Sequence, residues 1–501
     1  MAETVALNGR KTEPVRTERE RWVALVVLCV GMLMIILDGT IVNVALPSIQ
    51  SDLGFSQSSL AWVVNAYLIA FGGLLLLAGR FGDLVGRRRI FMLGLVLFTV
   101  ASALCGLAQS QGLLIGARFA QGVGGAMTSA VILGMIVTMF PEPREQARAI
   151  GVYSFVASGG ASIGLLAGGV LTEAINWHWI FFVNVPIGIA TAMLAARVLA
   201  RDEGIGLEHG ADVPGAVLIT GSLMLGVYTI VQVVDNGWGS ARTLVLGAVT
   251  IALLAAFVAR EARARNPLVP LGIFRARNLT GANLVQTLMV AGLFGMFFLG
   301  ALYLQRVLGF SAIEVGVAFL PVSVSIGMLS LRVSPRLVTR FGARTVLVPG
   351  LVLIAAGLAL FARVPVDGHY LPDVLPVMLL LGTGAGLCFP AVMTTAMSGA
   401  TESDAGLASG LVNTAQQIGG ALGLAVLATL STTRTDHLLS SGHSTAAALT
   451  GGYHVAFAIG AGLVVAAIAL SLTVLRPAAA AERVPAVGDL GEAEPAYEEA
   501  A

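Results

Sequence analysis

Two charged side chains stand inside apolar runs where neither would be expected. Asp38 interrupts the stretch from Trp22 to Pro47, and Arg118 interrupts the stretch at 112–139. An isolated acid or arginine at the centre of a membrane helix costs about 2.5–3.5 kcal/mol on insertion scales. Asp38 falls about 16 residues into its helix, roughly 24 Å at 1.5 Å per residue. Arg118 falls about six residues into a helix of opposite direction, so in a hydrocarbon core of about 30 Å the two reach nearly the same depth. Two chemistries fit such a couple. A static ion pair would fix helix packing. A proton site would let Asp38 alternate between charged and neutral, with Arg118 tuning its pKa and Gln121 nearby.

Other patterns with chemical potential lose their context. Gly160-Ala161-Ser162-Ile163-Gly164 matches G-x-S-x-G formally. A nucleophile elbow, however, needs a strand-to-helix turn with a histidine and an acid nearby, and this serine lies in an apolar helix. The one lysine, Lys11, sits in Gly9-Arg10-Lys11-Thr12, which is not a phosphate-binding loop. ATP is therefore not expected to drive this chain directly, and no cofactor is implied. Cys29, Cys105 and Cys388 are scattered, as are the six histidines, so neither a disulfide framework nor a metal site is expected. A net charge of +1 offers no field for nucleic acid.

The elements that must position the pair follow from composition. The chain is 56% hydrophobic and 11% charged over 501 residues, whereas soluble proteins carry about 25% charged residues. Apolar stretches repeatedly reach the roughly 20 residues that a spanning helix needs. This excludes a soluble enzyme. The pattern predicts fourteen helices, at 22–47, 59–78, 90–108, 112–139, 147–171, 180–199, 213–234, 243–260, 279–304, 313–331, 345–363, 372–398, 404–430 and 453–475. The apolar run after Arg21 is too long for a cleaved signal peptide. With the N-terminus inside, alternate loops hold 24 basic residues, and the opposite loops hold four, Arg242, Arg306, Arg363 and Arg434. That asymmetry supports the count and places both termini in the cytoplasm.

An internal repeat divides the chain. The loop Gly79-Arg80-Phe81-Gly82-Asp83-Leu84-Val85-Gly86-Arg87-Arg88-Arg89 has a weaker echo from Arg336 to Arg344, where Thr339 replaces Asp83. Two parallel six-helix halves would put the echo after the eighth helix. It follows the tenth, so the seventh and eighth helices read as an inserted pair. The expected organisation is an N-tail at 1–21, a first bundle at 22–199, a linker with two extra helices at 200–278, a second bundle at 279–475 and a C-tail at 476–501.

These residues resemble a known family. The Gly79–Arg89 loop looks like the signature between helices 2 and 3 of the major facilitator superfamily. Leu37-Asp38-Gly39-Thr40-Ile41-Val42-Asn43-Val44-Ala45-Leu46-Pro47, Arg118-Phe119-Ala120-Gln121-Gly122-Val123-Gly124-Gly125-Ala126 and the segment from Trp177 to Gly188 are similar to motifs of its fourteen-helix drug:proton antiporters, the EmrB/QacA type. The resemblance covers Trp22 to Arg476. It implies an all-α polytopic membrane protein of the major facilitator fold, two six-helix bundles plus two inserted helices. One motif departs: Leu165 stands where the family's helix 5 carries a proline, so that helix should be straighter, held by Gly160, Gly164 and Gly168 at small-xxx-small spacing.

The resemblance implies proton coupling at Asp38 and Arg118, and a cytoplasmic latch between the halves at Asp83 and Arg87, with Arg88 beside them and Gly79 and Gly86 permitting the turn. For the arginines alone, positive-inside topology is the plainer reading; an acid in that loop has no topological purpose. Asn43, Trp62, Asn65, Tyr67, Gln121, Asn184, Asn283, Gln286, Asn413, Gln416 and Gln417 are candidates to line a substrate cavity, or else ordinary packing glue between helices. No second acid lies deep in a span, which favours neutral or monocationic amphipathic substrates over dications. The expected function is proton-coupled efflux of hydrophobic compounds by a monomer driven by the proton gradient. The alternatives are a dedicated exporter of one metabolite without strict antiport, and a sensor that has lost transport. The bias to Ala, Gly, Val and Arg is that of a GC-rich bacterial genome, and the expected location is the bacterial cytoplasmic membrane.

Overall fold

The computed structural model describes residues 18–200, 202, 204, 206, 210–398 and 405–476. Most of both expected tails lies outside these. The described chain is helical throughout. The first half comprises α1 (Glu18–Leu53), α2 (Ser58–Val85), α3 (Arg87–Gly106), α4 (Gln111–Met139), α5 (Pro143–Ala174) and α6 (Trp179–Val198). Next come α7 (Val213–Val231) and α8 (Ala241–Glu261). The second half comprises α9 (Arg277–Arg306), α10 (Ala312–Phe341), α11 (Ala343–Phe361), α12 (Tyr370–Met397), α13 (Ala405–Ser440) and α14 (Thr445–Thr473). Among the described residues, 13 helices are long and apolar enough to cross a membrane; α5, with 32 residues, fills the remaining place in the expected order.

Several helices outrun their apolar stretches. α1 continues to Leu53 through Pro47, and α13 continues to Ser440 through Ser-Thr-Thr-Arg-Thr-Asp-His. Hydropathy marks where a helix meets lipid, and polar residues beyond that boundary keep helical geometry; in α13 Ser431, Thr432 and Thr435 stay buried while Thr433 and Arg434 are exposed. Large apolar side chains such as Leu93, Val96 and Val100 on α3 are half-exposed, as expected where the surrounding solvent is hydrocarbon.

Small residues set the close approaches. A Cβ built on Gly122 of α4 would lie 2.9 Å from the Ala70 Cβ and closer still to the Tyr67 carbonyl oxygen of α2; one on Gly124 would lie 2.8 Å from the Gly94 oxygen of α3. Backbones in contact at this range gain dispersion energy that larger side chains would forfeit, which is how helices associate without a hydrophobic driving force. Gly160, Gly164 and Gly168 likewise face α1, against Leu33 and Ile36, Thr40 and Leu37, and Ile41 respectively. The glycine row therefore packs within the first half, directly on the turns that carry Asp38. With Leu165 in place of proline, α5 runs unbroken from Pro143 to Ala174.

The two halves meet along α2 and α13, where Gly72 receives Gln417 and Gly410 approaches Leu76, and again at the face opposite the arginine-rich loops. There the Ile313 amide donates to Glu173 at 3.1 Å, and the Gln305 side-chain amide donates to the Val44 carbonyl at 2.9 Å. Gly169 abuts Ala312, and Gly316 abuts the Leu165 carbonyl. At the arginine-rich face, Arg88 reaches Ala196 within the first half, and Arg344 reaches Leu472 within the second.

Candidate functional site

The site is assembled from five helices of the first half, α1, α2, α3, α4 and α6. Asp38 and Arg118 meet: Arg118 Nη1 donates to Asp38 Oδ2 at 2.5 Å, with both side chains fully buried. Gln121, one turn along α4, points to the same side. Its Nε2 donates to Asp38 Oδ1 at 2.7 Å and to Ser102 Oγ at 2.8 Å, while its Oε1 accepts from Arg118 Nη1 at 2.6 Å and from the Cys105 thiol at 3.6 Å. Asn184, at the bend in α6, donates to Asp38 Oδ1 at 3.0 Å. Arg118 Nε donates to the Val63 carbonyl at 2.8 Å, and the guanidinium lies 4.4 Å from the centre of the Tyr67 ring.

The fully buried carboxylate thus accepts three hydrogen bonds, one of them charged. Charge-assisted bonds of this kind are roughly twice as strong as neutral ones. The guanidinium holds two acceptors besides Asp38, namely Val63 O and Gln121 Oε1. It therefore stays partly paired whether or not Asp38 carries its charge. A pair built only for packing needs no such reserve.

This geometry moves three residues out of the cavity lining. Gln121, Asn184 and Tyr67, read from sequence as substrate candidates, are buried against the Asp38–Arg118 pair. Gln121 has its donors and acceptor engaged, so a substrate would have to displace an existing partner. Sequence reasoning missed Ser102 and Cys105. Their three-residue spacing on α3, among apolar neighbours, was the available signal.

The remaining candidates are spread along the two halves. Asn43 is half-buried and donates back to the Gly39 and Thr40 carbonyls of its own helix, at 3.4 and 3.3 Å. Trp62 is buried, and Asn65 is fully buried with neither amide atom hydrogen-bonded. On the second half, Gln286 donates to Gln416 at 3.2 Å, and Asn283 donates to its own helix at 2.8 Å. Asn413 is exposed. Gln417 fits the notch at Gly72, where a built Cβ would lie 2.7 Å from the Gln417 Cβ.

The Gly79–Arg89 loop also folds within one half. Asp83 Oδ1 accepts from Arg87 Nη2 at 3.1 Å, and Arg87 Nη1 donates to the Gly134 carbonyl and to Thr138 Oγ1, both at 3.1 Å on α4. Gly86 takes a φ of +111° between α2 and α3, a conformation that other residues rarely adopt. The cross-half contact expected of Asp83 is not the one seen: in this arrangement its ion pair is local and over a third exposed. Exposed pairs contribute about 0–1 kcal/mol. Asp83→Asn is accordingly expected to leave membrane abundance near normal while slowing transport severalfold, as read by immunoblot and uptake rate. Disappearance of the protein would make the loop a folding element instead.

The Major Facilitator Superfamily model matches residues 28–424. The chain belongs to this superfamily. It is a multi-pass membrane transporter, not an enzyme. It is 43% identical over 473 residues to the puromycin resistance protein pur8 of Streptomyces alboniger, covering 92% of this chain and 93% of that one. It is 39% identical over 467 residues to the cephamycin export protein CmcT of Amycolatopsis lactamdurans, covering 93% and 94%. In structure it is similar to a bacterial homolog of the human lysosomal transporter Spinster, with a TM-score of 0.65 at 16% identity over 91% of this chain and 97% of that one. That likeness concerns the fold.

Proposed function

We propose that the protein exports hydrophobic or amphipathic compounds by alternating access, exchanging them for protons at Asp38. The arginine-rich face and both termini lie in the cytoplasm of a bacterial cell, and the proton gradient is the energy source. The observation that carries this reading is the buried cluster in which Asp38 shares Arg118 with two other acceptors. Protonation removes the negative charge from the pair, and the arginine then keeps two neutral acceptors, the Val63 carbonyl and Gln121 Oε1, with Nη2 unpartnered. The electrostatic tie between α1 and α4 then weakens, and the first half changes its preferred packing. Such a shift needs a ligand that binds the two conformations unequally, and a proton on a buried carboxylate meets that requirement.

The relatives support the direction of transport, since their names are those of resistance and export proteins. Besides buried hydroxyls such as Ser323, Thr395 and Thr429, the second half carries the amides Asn283, Gln286, Gln416 and Gln417 on its apolar helices. They suit neutral or singly charged substrates with hydrogen-bonding groups. A second reading, a dedicated exporter of one metabolite, draws on the fact that several relatives are each named for a single antibiotic.

Inverted vesicles carrying the protein separate these readings. An imposed pH gradient is expected to drive uptake of puromycin, and a protonophore to abolish it. Uptake indifferent to the protonophore would remove proton coupling. Uptake of cephamycin but not puromycin, or the reverse, would favour the dedicated exporter.

A further inference from the structure

We propose that Asp202 is a clasp that fastens the inserted α7–α8 pair to the first half, so that the pair travels with that half and slips over α13 of the second. The proposal rests on alternating access but not on proton coupling.

α7 buries one stripe, Ala216, Thr220, Leu223, Val227 and Val231, and lies across both α2 and α13. Those two helices belong to different halves. A Cβ built on Gly73 of α2 would fall 2.6 Å from Thr220 Oγ1 and 3.4 Å from its Cα. The adjacent Gly72 takes Gln417 of α13, so this glycine pair is the point where three bodies touch. Farther along, Thr429 Oγ1 of α13 donates to the Ile230 carbonyl of α7 at 3.3 Å. α8 packs mainly on α7 and turns side chains such as Leu244 and Ile251 outward. When the halves rock, α7 cannot keep both contacts.

The anchors are unequal. The Asp202 carboxylate accepts the backbone N–H of Arg87 and, at 3.0 Å, that of Arg88, at the start of α3, where the helix dipole favours a negative charge. The Gly206 amide donates to the Leu84 carbonyl at 3.1 Å, and Arg80 Nε donates to the Gly210 carbonyl at 3.2 Å. Gly204 lies so close to the Leu84 carbonyl that no side chain would fit. Asp212, which caps α7 at Gly215, also pairs with Arg260 at 3.1 Å and so ties α8 to the same base. Toward the second half, the chain at 262–276 folds back on α8, where the Val269 amide donates to Glu261 at 2.9 Å, and then makes the short turn Leu271–Arg275. At up to about 3.3–3.6 Å per extended residue, that segment has the reach to follow a rocking motion.

Two cysteine pairs and one clasp variant test this; the native cysteines are buried and stay in place. Oxidised Ile230→Cys/Thr429→Cys protein is expected to lose export by about tenfold or more, with recovery on reduction, because it welds α7 to the half it must slip past. Oxidised Gly73→Cys/Thr220→Cys protein is expected to export within about twofold of its reduced form, because it joins parts that move together. Asp202→Ala is expected to speed hydrogen exchange at the Arg87 and Arg88 amides and to slow transport, whereas Asp202→Asn, whose single carbonyl oxygen can accept only one of the two bonds, is expected to fall between the parent and Asp202→Ala in both. Full export by the oxidised Ile230/Thr429 pair, or a block confined to the Gly73/Thr220 pair, overturns the proposal. So does amide exchange unchanged in Asp202→Ala. That exchange measurement needs no transport, so failure of the clasp is distinguishable from failure of the export reading.

Discussion

Asp38→Asn is expected to bind substrate and exchange it downhill, yet to accumulate none against a gradient in inverted vesicles. Asparagine has the shape of the protonated acid and cannot release a proton, so the variant samples one charge state only. The cluster can accommodate that state. Asn184 Oδ1 is buried without a hydrogen-bond partner, and rotating that amide by half a turn presents an acceptor where it now presents a donor. The same rotation would receive the proton of a neutral Asp38, which gives Asn184 a positioning role in either state. Arg118 loses its counter-charge in this variant, but the position keeps its volume and Arg118 keeps the Val63 and Gln121 acceptors, so the loss of stability is expected to be smaller than in Arg118→Ala and folded protein to be recovered. Two measurements check the outcome: substrate binding to purified protein, and uptake with and without the pH gradient. Normal gradient-driven accumulation by Asp38→Asn would rule out this carboxylate as the coupling site.

How much of this was legible beforehand depends on the kind of signal. The order of the helices followed from apolar length, because spanning a hydrocarbon layer imposes one rule on every segment. The inserted pair followed from the displaced echo at Arg336–Arg344. The depth match of Asp38 and Arg118 followed from helical rise alone. Roles at contact range did not. Gln121, Asn184 and Tyr67 were recognisable as polar groups on apolar helices, but rotation about the helix axis decides whether such a group meets a cavity or a neighbour, and hydropathy is silent on rotation. The glycines of α5 show the same limit. Gly160, Gly164 and Gly168 mark one helical face, but that face turned out to be the one against α1; Leu165 and Gly169 approach α10 instead. Asp202 was less visible still, because its partners are backbone amides at 87 and 88, more than a hundred positions away, and nothing in a backbone N–H distinguishes one residue from another.

Arg118 carries the other large expected effect, and it separates a folding role from a coupling role. Arg118→Ala removes the charge partner of a fully buried carboxylate, together with the bonds to Val63 and Gln121 and the contact with Tyr67. Breaking a buried pair from one side costs about 3–5 kcal/mol, because the surviving charge is left without compensation. That is a large share of the 5–15 kcal/mol that typically holds a protein folded, so this variant is expected to be depleted from the membrane and to melt early in detergent. Replacing both partners by apolar groups removes the stranded charge, and such replacements are often neutral or stabilising. Asp38→Leu with Arg118→Leu should therefore recover much of the lost abundance and melting temperature, the shortfall being set by Gln121, Asn184 and the Val63 carbonyl left without their partners. It should not recover export, since no titratable group remains at the site. If the double variant regained gradient-driven transport together with its stability, the pair would be a packing device and the proton would have to be carried elsewhere. Recovery of stability alone would assign Asp38 and Arg118 to coupling, with the stability cost of the single variant explained by the orphaned charge.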